Sequence, residues 1–328
     1  MKTWNIALIG LGSVGRGVAE VLLGDGRFRI VAAADSKSGV FDSAGLNIDE
    51  VLAKKKKTGR CGDPAWPAAR IAAEAEYDIL VEATPTNAET GEPALSIIKS
   101  AIMRGKHVVT SNKGPVSLAS AELLRLAEQN NVGFLFEGTV AGAVPILRGI
   151  KYGLAGNKIK ALYGVLNGTC NYILTRMEEE GLTYIQALAE ARDLGYAEAD
   201  PTYDINGTDA AIKLVILANT MLGMDVKLAD VKRTGISDLT VDALWMAEET
   251  GHSIRLIASL YPEKNLLEVS PRLISKTNPL VVSGTLNAVT VETEYAGAIT
   301  FIGRGAGSVE TASAILADLL FITDKYDR

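Results

Sequence analysis

At 328 residues the chain has room for two compact units of ~100–200 residues each. Its 33 Lys and Arg against 39 Asp and Glu leave a net charge of −6 with no basic tail, a poor match to general nucleic-acid binding. Hydrophobic residues at 48% and charged residues at 22% exclude global disorder, while 32 glycines against 6% aromatics point to backbone that approaches a ligand rather than to flat stacking surfaces.

The start, Met1-Lys2-Thr3-Trp4-Asn5-Ile6, runs directly into a strand-like segment, unlike a signal peptide, and no apolar run reaches the ~20 residues of a membrane span. Cys61 and Cys170 form no CxxC, and His107 and His252 are the only histidines. That pattern fits a reducing, cytoplasmic setting and disfavours a disulfide framework or a zinc site. In chain order, strands are expected at 4–9, 28–34, 78–83, 107–110 and 132–136, and helices at 14–23, 65–75, 93–104 and 116–130. Strands spaced by such helices predict βαβ units and a parallel sheet. The four lysines at 54–57 read most simply as a solvated loop. After about residue 136 the rhythm changes: a strand at 158–166, helices at 171–180, 184–194 and 209–221, then strands at 252–260, 267–274 and 286–294. This predicts a mixed sheet with helices on one side. The end reads as a strand at 299–302, the turn Gly303-Arg304-Gly305-Ala306-Gly307, and a helix at 308–320.

Four segments carry chemistry. The first is Gly10-Leu11-Gly12-Ser13-Val14-Gly15, a glycine fingerprint between strand and helix, with Asp35 placed 20 residues beyond Gly15 at the end of the second strand. The glycines permit a tight turn, close approach to a pyrophosphate and close helix–strand packing, and the acid suits a ribose. Asp35 favours NAD, whereas Ser36, Lys37 and the lysine run suit a 2′-phosphate, so NAD and NADP both stay open. The second comprises Glu82-Ala83-Thr84-Pro85-Thr86-Asn87 and Ser111-Asn112-Lys113-Gly114-Pro115, at the carboxyl ends of predicted parallel strands, where Lys113 could meet a substrate carbonyl or the cofactor. The third runs from Gly195 to Leu214 and holds Glu198, Asp200, Asp204, Asp209 and Lys213. Asp209 and Lys213 share a helix face at i,i+4, forming either a general acid/base pair or an ordinary salt bridge. The fourth, Glu137-Gly138-Thr139-Val140-Ala141-Gly142-Ala143-Val144-Pro145, is either a hinge or an oxygen cage for a hard monovalent ion.

Together these segments, with Leu166-Asn167-Gly168-Thr169-Cys170-Asn171-Tyr172-Ile173-Leu174, resemble homoserine dehydrogenase in a short form without an appended regulatory domain. The resemblance covers most of the chain. It departs at Cys170, where threonine is common in the family, and at Arg304, where proline is common. It implies a Rossmann-type doubly wound parallel sheet in residues 1–136, completed by 301–328, and an α+β catalytic and dimerisation domain in 137–300. It also implies reversible NAD- or NADP-dependent interconversion of L-homoserine and L-aspartate 4-semialdehyde, a step toward threonine, methionine and isoleucine, in a cytoplasmic homodimer. Lys213 would exchange the proton, Asp209 would orient it, Glu198 and Asp204 would hold the substrate's ammonium, and Lys113 would sit beside the nicotinamide. Gly10, Gly12, Ser13, Val14, Gly15, Asp35, Thr84, Lys113 and Gly307 would contact the cofactor. Glu137 with the backbone of Val140, Gly142 and Val144 would hold a cation such as sodium. The rivals are a dehydrogenase of another small amino or oxo acid, and a non-catalytic dinucleotide sensor, which needs no proton donor.

Overall fold

The computed structural model describes residues 2–327. Met1 and Arg328, the outermost residues of the expected domains, lie outside the described residues. The chain divides into one unit of Met1–Ala143 with Gly307–Arg328, and a second of Val144–Ala306.

In the first unit, β1 (Trp4–Ile9) leads through a glycine loop into α1 (Ser13–Leu22) and β2 (Phe28–Ala34). There follow β3 (Gly39–Phe41), α2 (Ile48–Thr58), α3 (Ala68–Glu74), β4 (Ile79–Glu82), α4 (Ala94–Met103), β5 (His107–Thr110), α5 (Lys113–Gln129) and β6 (Phe134–Leu135). The sheet order is β3-β2-β1-β4-β5-β6, parallel throughout except for the antiparallel edge strand β3. Strand β1 is almost wholly buried, so apart from the half-buried Asn5 its sequence is apolar instead of alternating. It lies between β2 and β4, and the crossovers leave it in opposite directions, which makes the β1–β4 boundary the topological switch point. The C-terminal helix (Ser308–Tyr326) returns to this unit, where Ala312, Ile315, Leu319 and Ile322 join the core of Ile6, Leu8, Val18 and Val109.

Two sequence expectations change here. Lys54–Lys57 lie on α2, not on a loop: Asn47 caps this helix and Gly59, at φ 74°, ends it. Helix α5 begins at Lys113, three residues before the expected start, because Asn112 caps it and Pro115, still in the first turn, forfeits no helical hydrogen bond.

His107 opens β5 with its ring 5.7 Å from that of Trp4 and 4.5 Å from that of Tyr326, and its Nδ1 accepts the Gly133 N–H at 2.9 Å. Burial, reinforced by the charge of Lys2, pulls its pKa down to about 4. The unfolded chain therefore binds the proton first: stability is full above the ordinary value of ~6.5 and is lost as pH falls toward 4. The loss expected is roughly 2–3 kcal/mol, allowing for partial exposure. Melting temperatures measured between pH 7 and pH 4 check this, and His107→Asn, which keeps an acceptor without the titration, should flatten the acid limb.

The second unit contains α6 (Ile146–Arg148), β7 (Ile159–Val165), α7 (Gly168–Glu180), α8 (Tyr184–Asp193), α9 (Thr202–Ile205), α10 (Thr208–Leu222), β8 (Lys232–Arg233), α11 (Val241–Glu249), β9 (His252–Tyr261), β10 (Leu266–Ser275), β11 (Leu286–Thr293) and β12 (Ala298–Arg304). Its sheet runs β12-β11-β7-β9-β10-β8, antiparallel except for the β8–β10 pair. Strand β12 continues through Arg304, so the expected five-residue turn is confined to Gly305–Gly307. Helix α10 is apolar around its circumference and buried from Asp209 to Ala218, as a core helix must be. The face of the sheet bearing Tyr163, Ser259, Thr290 and Thr300, which are cross-strand neighbours, borders a concavity of about 510 Å³.

Candidate active site

The first unit's loop at the switch point is shaped by what its glycines avoid. Gly10 has φ 96°, and a Cβ there would lie 2.4 Å from the Ala83 carbonyl oxygen. A Cβ on Gly15 would lie 1.8 Å from the oxygen of Gly10, so these two glycines let strand, loop and helix touch. A Cβ on Gly12 would meet nothing within 4 Å: the loop is open on that side. Helix α1 starts at Ser13 with no side-chain cap, leaving its first N–H groups for an anion. The C-terminal helix starts against it: Ser308 Oγ donates to the Ser13 carbonyl at 2.6 Å, and Gly307, also without a side-chain cap, has φ 137°. Open space over Gly12 beside the uncapped N-terminus of α1 fits a dinucleotide's pyrophosphate, while at the C-terminal helix the Glu310 carboxylate packs against Gly307. Lys55 Nζ donates to the Leu11 carbonyl at 2.9 Å, which ties the lysine run of α2 to the loop.

Asp35 is engaged by its own chain. Its Oδ1 accepts from the N–H groups of Lys37 and Ser38 at 2.8 Å each and from Ser38 Oγ at 3.1 Å, while Oδ2 accepts from Cys61 N–H at 2.8 Å. Burial pushes its carboxyl up, but these donors outweigh that and hold it below the usual carboxylate range. At the end of β4, Glu82 is fully buried; Oε1 accepts from both the N–H and the hydroxyl of Thr84, and Oε2 from Thr110 Oγ1 at 2.7 Å. Burial raises its pKa. Asn112 Nδ2 reaches the Thr84 carbonyl at 3.3 Å, and its Oδ1 caps α5 through Gly114 N–H at 3.0 Å. Glu82 thereby orders both loops that present Thr84 and Lys113. In the sequence Glu82 carries no assigned role, although an acid closing the otherwise apolar Ile-Leu-Val-Glu strand is a signal. Glu137 is buried, its N–H donates to Asp318 Oδ2 at 2.9 Å, and Ala141 and Gly142 follow with φ 57° and 52°. A carboxylate and backbone carbonyls are the donor types a hard cation takes. Among the described residues no group of three or more His, Cys, Asp or Glu could hold a metal.

The second unit gathers a different set of groups. Lys213 Nζ donates to Asp209 Oδ2 at 2.7 Å and to the Leu166 carbonyl at 2.6 Å. Both side chains are about 10% exposed, so this is no solvated salt bridge. Asn167 spans two carboxylates, donating from Nδ2 to Asp204 Oδ1 at 2.7 Å and to Asp209 Oδ2 at 2.9 Å, while its Oδ1 caps α7 through Cys170 N–H at 2.8 Å. Burial and then the charge of Asp209 raise the pKa of Asp204, against the pull of Asn167 and Lys213. Glu198 is exposed, beyond α8, in a loop anchored where Thr169 Oγ1 donates to the Tyr196 carbonyl at 2.8 Å. Asn167 was quoted in the sequence as part of a motif; its cap-and-bridge role was not. Both cysteines are buried and free, and burial raises each thiol's pKa, which leaves neither reactive.

A glycine loop at the switch point of a nucleotide-binding sheet, and a buried lysine–carboxylate pair able to exchange a proton, place the chain among the NAD(P)-dependent oxidoreductases. Residues 10–137 match the family model for the homoserine dehydrogenase NAD-binding domain, and residues 145–320 match the model for homoserine dehydrogenase. The chain belongs to the homoserine dehydrogenase family. It is 43% identical to the homoserine dehydrogenase of Methanocaldococcus jannaschii, over 97% of this chain and 98% of that one. It is 38% identical to the NAD(+)-dependent homoserine dehydrogenase of Pseudomonas canavaninivorans, over 98% and 97%. The crystal structure of a putative homoserine dehydrogenase from Archaeoglobus fulgidus superposes with a TM-score of 0.91 at 46% identity, covering 98% of this chain and 99% of that one.

Proposed function

We propose that the chain interconverts L-homoserine and L-aspartate 4-semialdehyde, with Lys213 giving its proton to the aldehyde oxygen and taking it back from the alcohol. The observation that carries this is the buried Lys213–Asp209 contact at 2.7 Å. The nicotinamide, when bound, carries the hydride. The chain's own part is to place the carbon and move one proton. Asp209 and the Leu166 carbonyl orient the ammonium. Asp204 and Glu198 hold the substrate's ammonium: Asp204 is a half-buried carboxylate whose pKa is raised by desolvation, and a cation beside it would offset that cost. Lys113 serves the reacting carbonyl or the cofactor. Gly10, Gly12, Ser13, Val14, Gly15, Asp35, Thr84 and Gly307 hold NAD or NADP, and Glu137 with the carbonyls of Val140, Gly142 and Val144 holds a monovalent cation.

We further infer a cytoplasmic homodimer. Free, buried thiols suit a reducing compartment. Among the described residues no helix is long and apolar enough to cross a membrane. The strand face around Tyr163, Leu273 and Thr300 is the surface a second copy would cover. The test is purified protein with homoserine and NAD or NADP, followed at the nicotinamide absorbance. Turnover is expected; its absence with both cofactors removes the assignment and favours a dinucleotide sensor.

A further inference from the structure

The Leu166 carbonyl that Lys213 uses is shared. Asn287 Nδ2 donates to the same oxygen at 3.0 Å, so both of its lone pairs are engaged. Leu166 lies just past β7, where the chain leaves the sheet, and Asn287 lies near the start of the neighbouring strand β11, beside the Ala288–Val165 pair. Without Asn287 this carbonyl, past the end of its strand, would be held by the Lys213 ammonium alone. Asn287 is 1% exposed, and its Oδ1 is buried with no hydrogen-bond partner. A residue serving only to fill the core would not carry that unpaired acceptor; here it accompanies the one donor bond the amide makes. Its amide is also clamped: a Cβ on Gly305 would lie 2.0–2.2 Å from its Cγ, Nδ2 and Oδ1. Glycine at 305 is thus what lets the amide occupy this place.

We propose that Asn287 is a positioning residue for Lys213, acting through the Leu166 carbonyl that both side chains share, with Gly305 as its seat. Lys213 has three N–H groups. Asp209 Oδ2 and the Leu166 oxygen take two of them, and their directions aim the third at the substrate oxygen. If the carbonyl swings, the ammonium stays charged and paired, but its third N–H no longer points along one line. The proton then moves less often per bound substrate, while binding by Asp204 and Glu198 is little altered. The inference rests on the reading of Lys213 as proton donor.

The experiment uses the full chain with homoserine and NAD(P). Asn287→Ala is expected to lower kcat about tenfold or more with KM for homoserine changed less than about threefold. The solvent deuterium isotope effect on kcat should rise as proton transfer becomes limiting. Gly305→Ala, which displaces the amide from the turn after β12, should give the same signature, and the double variant should lose no more than the worse single one. On a Lys213→Ala background, Asn287→Ala should cost nothing further. Circular dichroism and NAD(P)H binding confirm folding, and if Asn287→Ala does not fold, Gly305→Ala alone decides. Folded variants with kcat within about twofold of the parent overturn the proposal. So does a loss that persists undiminished on the Lys213→Ala background. Near-normal kcat in Lys213→Ala itself overturns the proton-donor reading, a result separate from any obtained with Lys213 intact.

Discussion

Lys213→Ala should lower kcat for homoserine oxidation by about 10²-fold or more and leave NAD(P) affinity within about twofold. The lysine is the general acid/base of the proposed reaction, and the cofactor loop belongs to the other folding unit. The substitution also changes the charge of a buried cluster. Asp204 and Asp209 are joined through Asn167, and Lys213 is the cation hydrogen-bonded to Asp209, its charge also acting on Asp204. Without it, the lowering effect of its charge is lost, and the pKa of the half-buried Asp204, already raised by desolvation and by Asp209, rises further. A group whose folded pKa lies above its unfolded one holds its proton more firmly in the folded state. The variant's stability deficit should therefore be largest at neutral pH and shrink as pH falls into the window between the folded and the ordinary carboxylate values. Lys213→Arg separates the two effects. Arginine keeps the charge but does not release a proton near neutral pH. It should restore most of the stability and little of the rate. Steady-state kinetics, NAD(P)H binding and melting curves at two pH values check all three expectations.

What could be read from the chain alone depended on how local the signal was. Strand β1 and the glycine loop are contiguous, and the Asp209–Lys213 pair needs only a helix at i,i+4 spacing, so all were available before any coordinates. The whole of α2 was missed because only Ile48 and Val51 are buried on it and the lysine run masks the weak apolar pattern, although Asn47 and Gly59 were in place as start and stop signals. Strand β3 was missed because three residues at a sheet edge have no period to detect. Other features come from residues far apart in the chain. The Asn287–Leu166 bond spans 121 residues and the Glu82–Thr110 bond 28, and no spacing rule announces them. Asp35 shows the reverse: its position was readable, but its engagement by Lys37, Ser38 and Cys61 was not.

Glu178→Ala is expected to destabilise the second unit by about 3–5 kcal/mol, the largest stability effect foreseen for a residue outside the proposed chemistry. Glu178 on α7 and Arg255 on β9 form an ion pair at 2.7 Å with side chains 9% and 2% exposed. Ser253 Oγ also donates to Glu178, and Arg255 Nη1 donates to the Ile254 carbonyl at 2.9 Å. Removing the carboxylate strands a guanidinium that water cannot reach, and that penalty, more than the lost attraction, sets the cost. For a unit of this size the melting temperature should fall by on the order of 10 °C. The consequence extends beyond one helix–strand contact. Arg255 Nε reaches the Val282 carbonyl at 3.4 Å, and Asn171 Nδ2, also on α7, donates to the carbonyls of Val282, Gly284 and Leu286. Both hold the segment that feeds β11, whose second residue is Asn287. If desolvation is the cause, removing both charges should be far milder than removing one: Glu178→Leu with Arg255→Met should recover most of the lost stability, as apolar replacements of buried pairs do. A double variant no more stable than Glu178→Ala would show instead that the hydrogen bonds to Ser253 and the Ile254 carbonyl, and not the stranded charge, account for the loss.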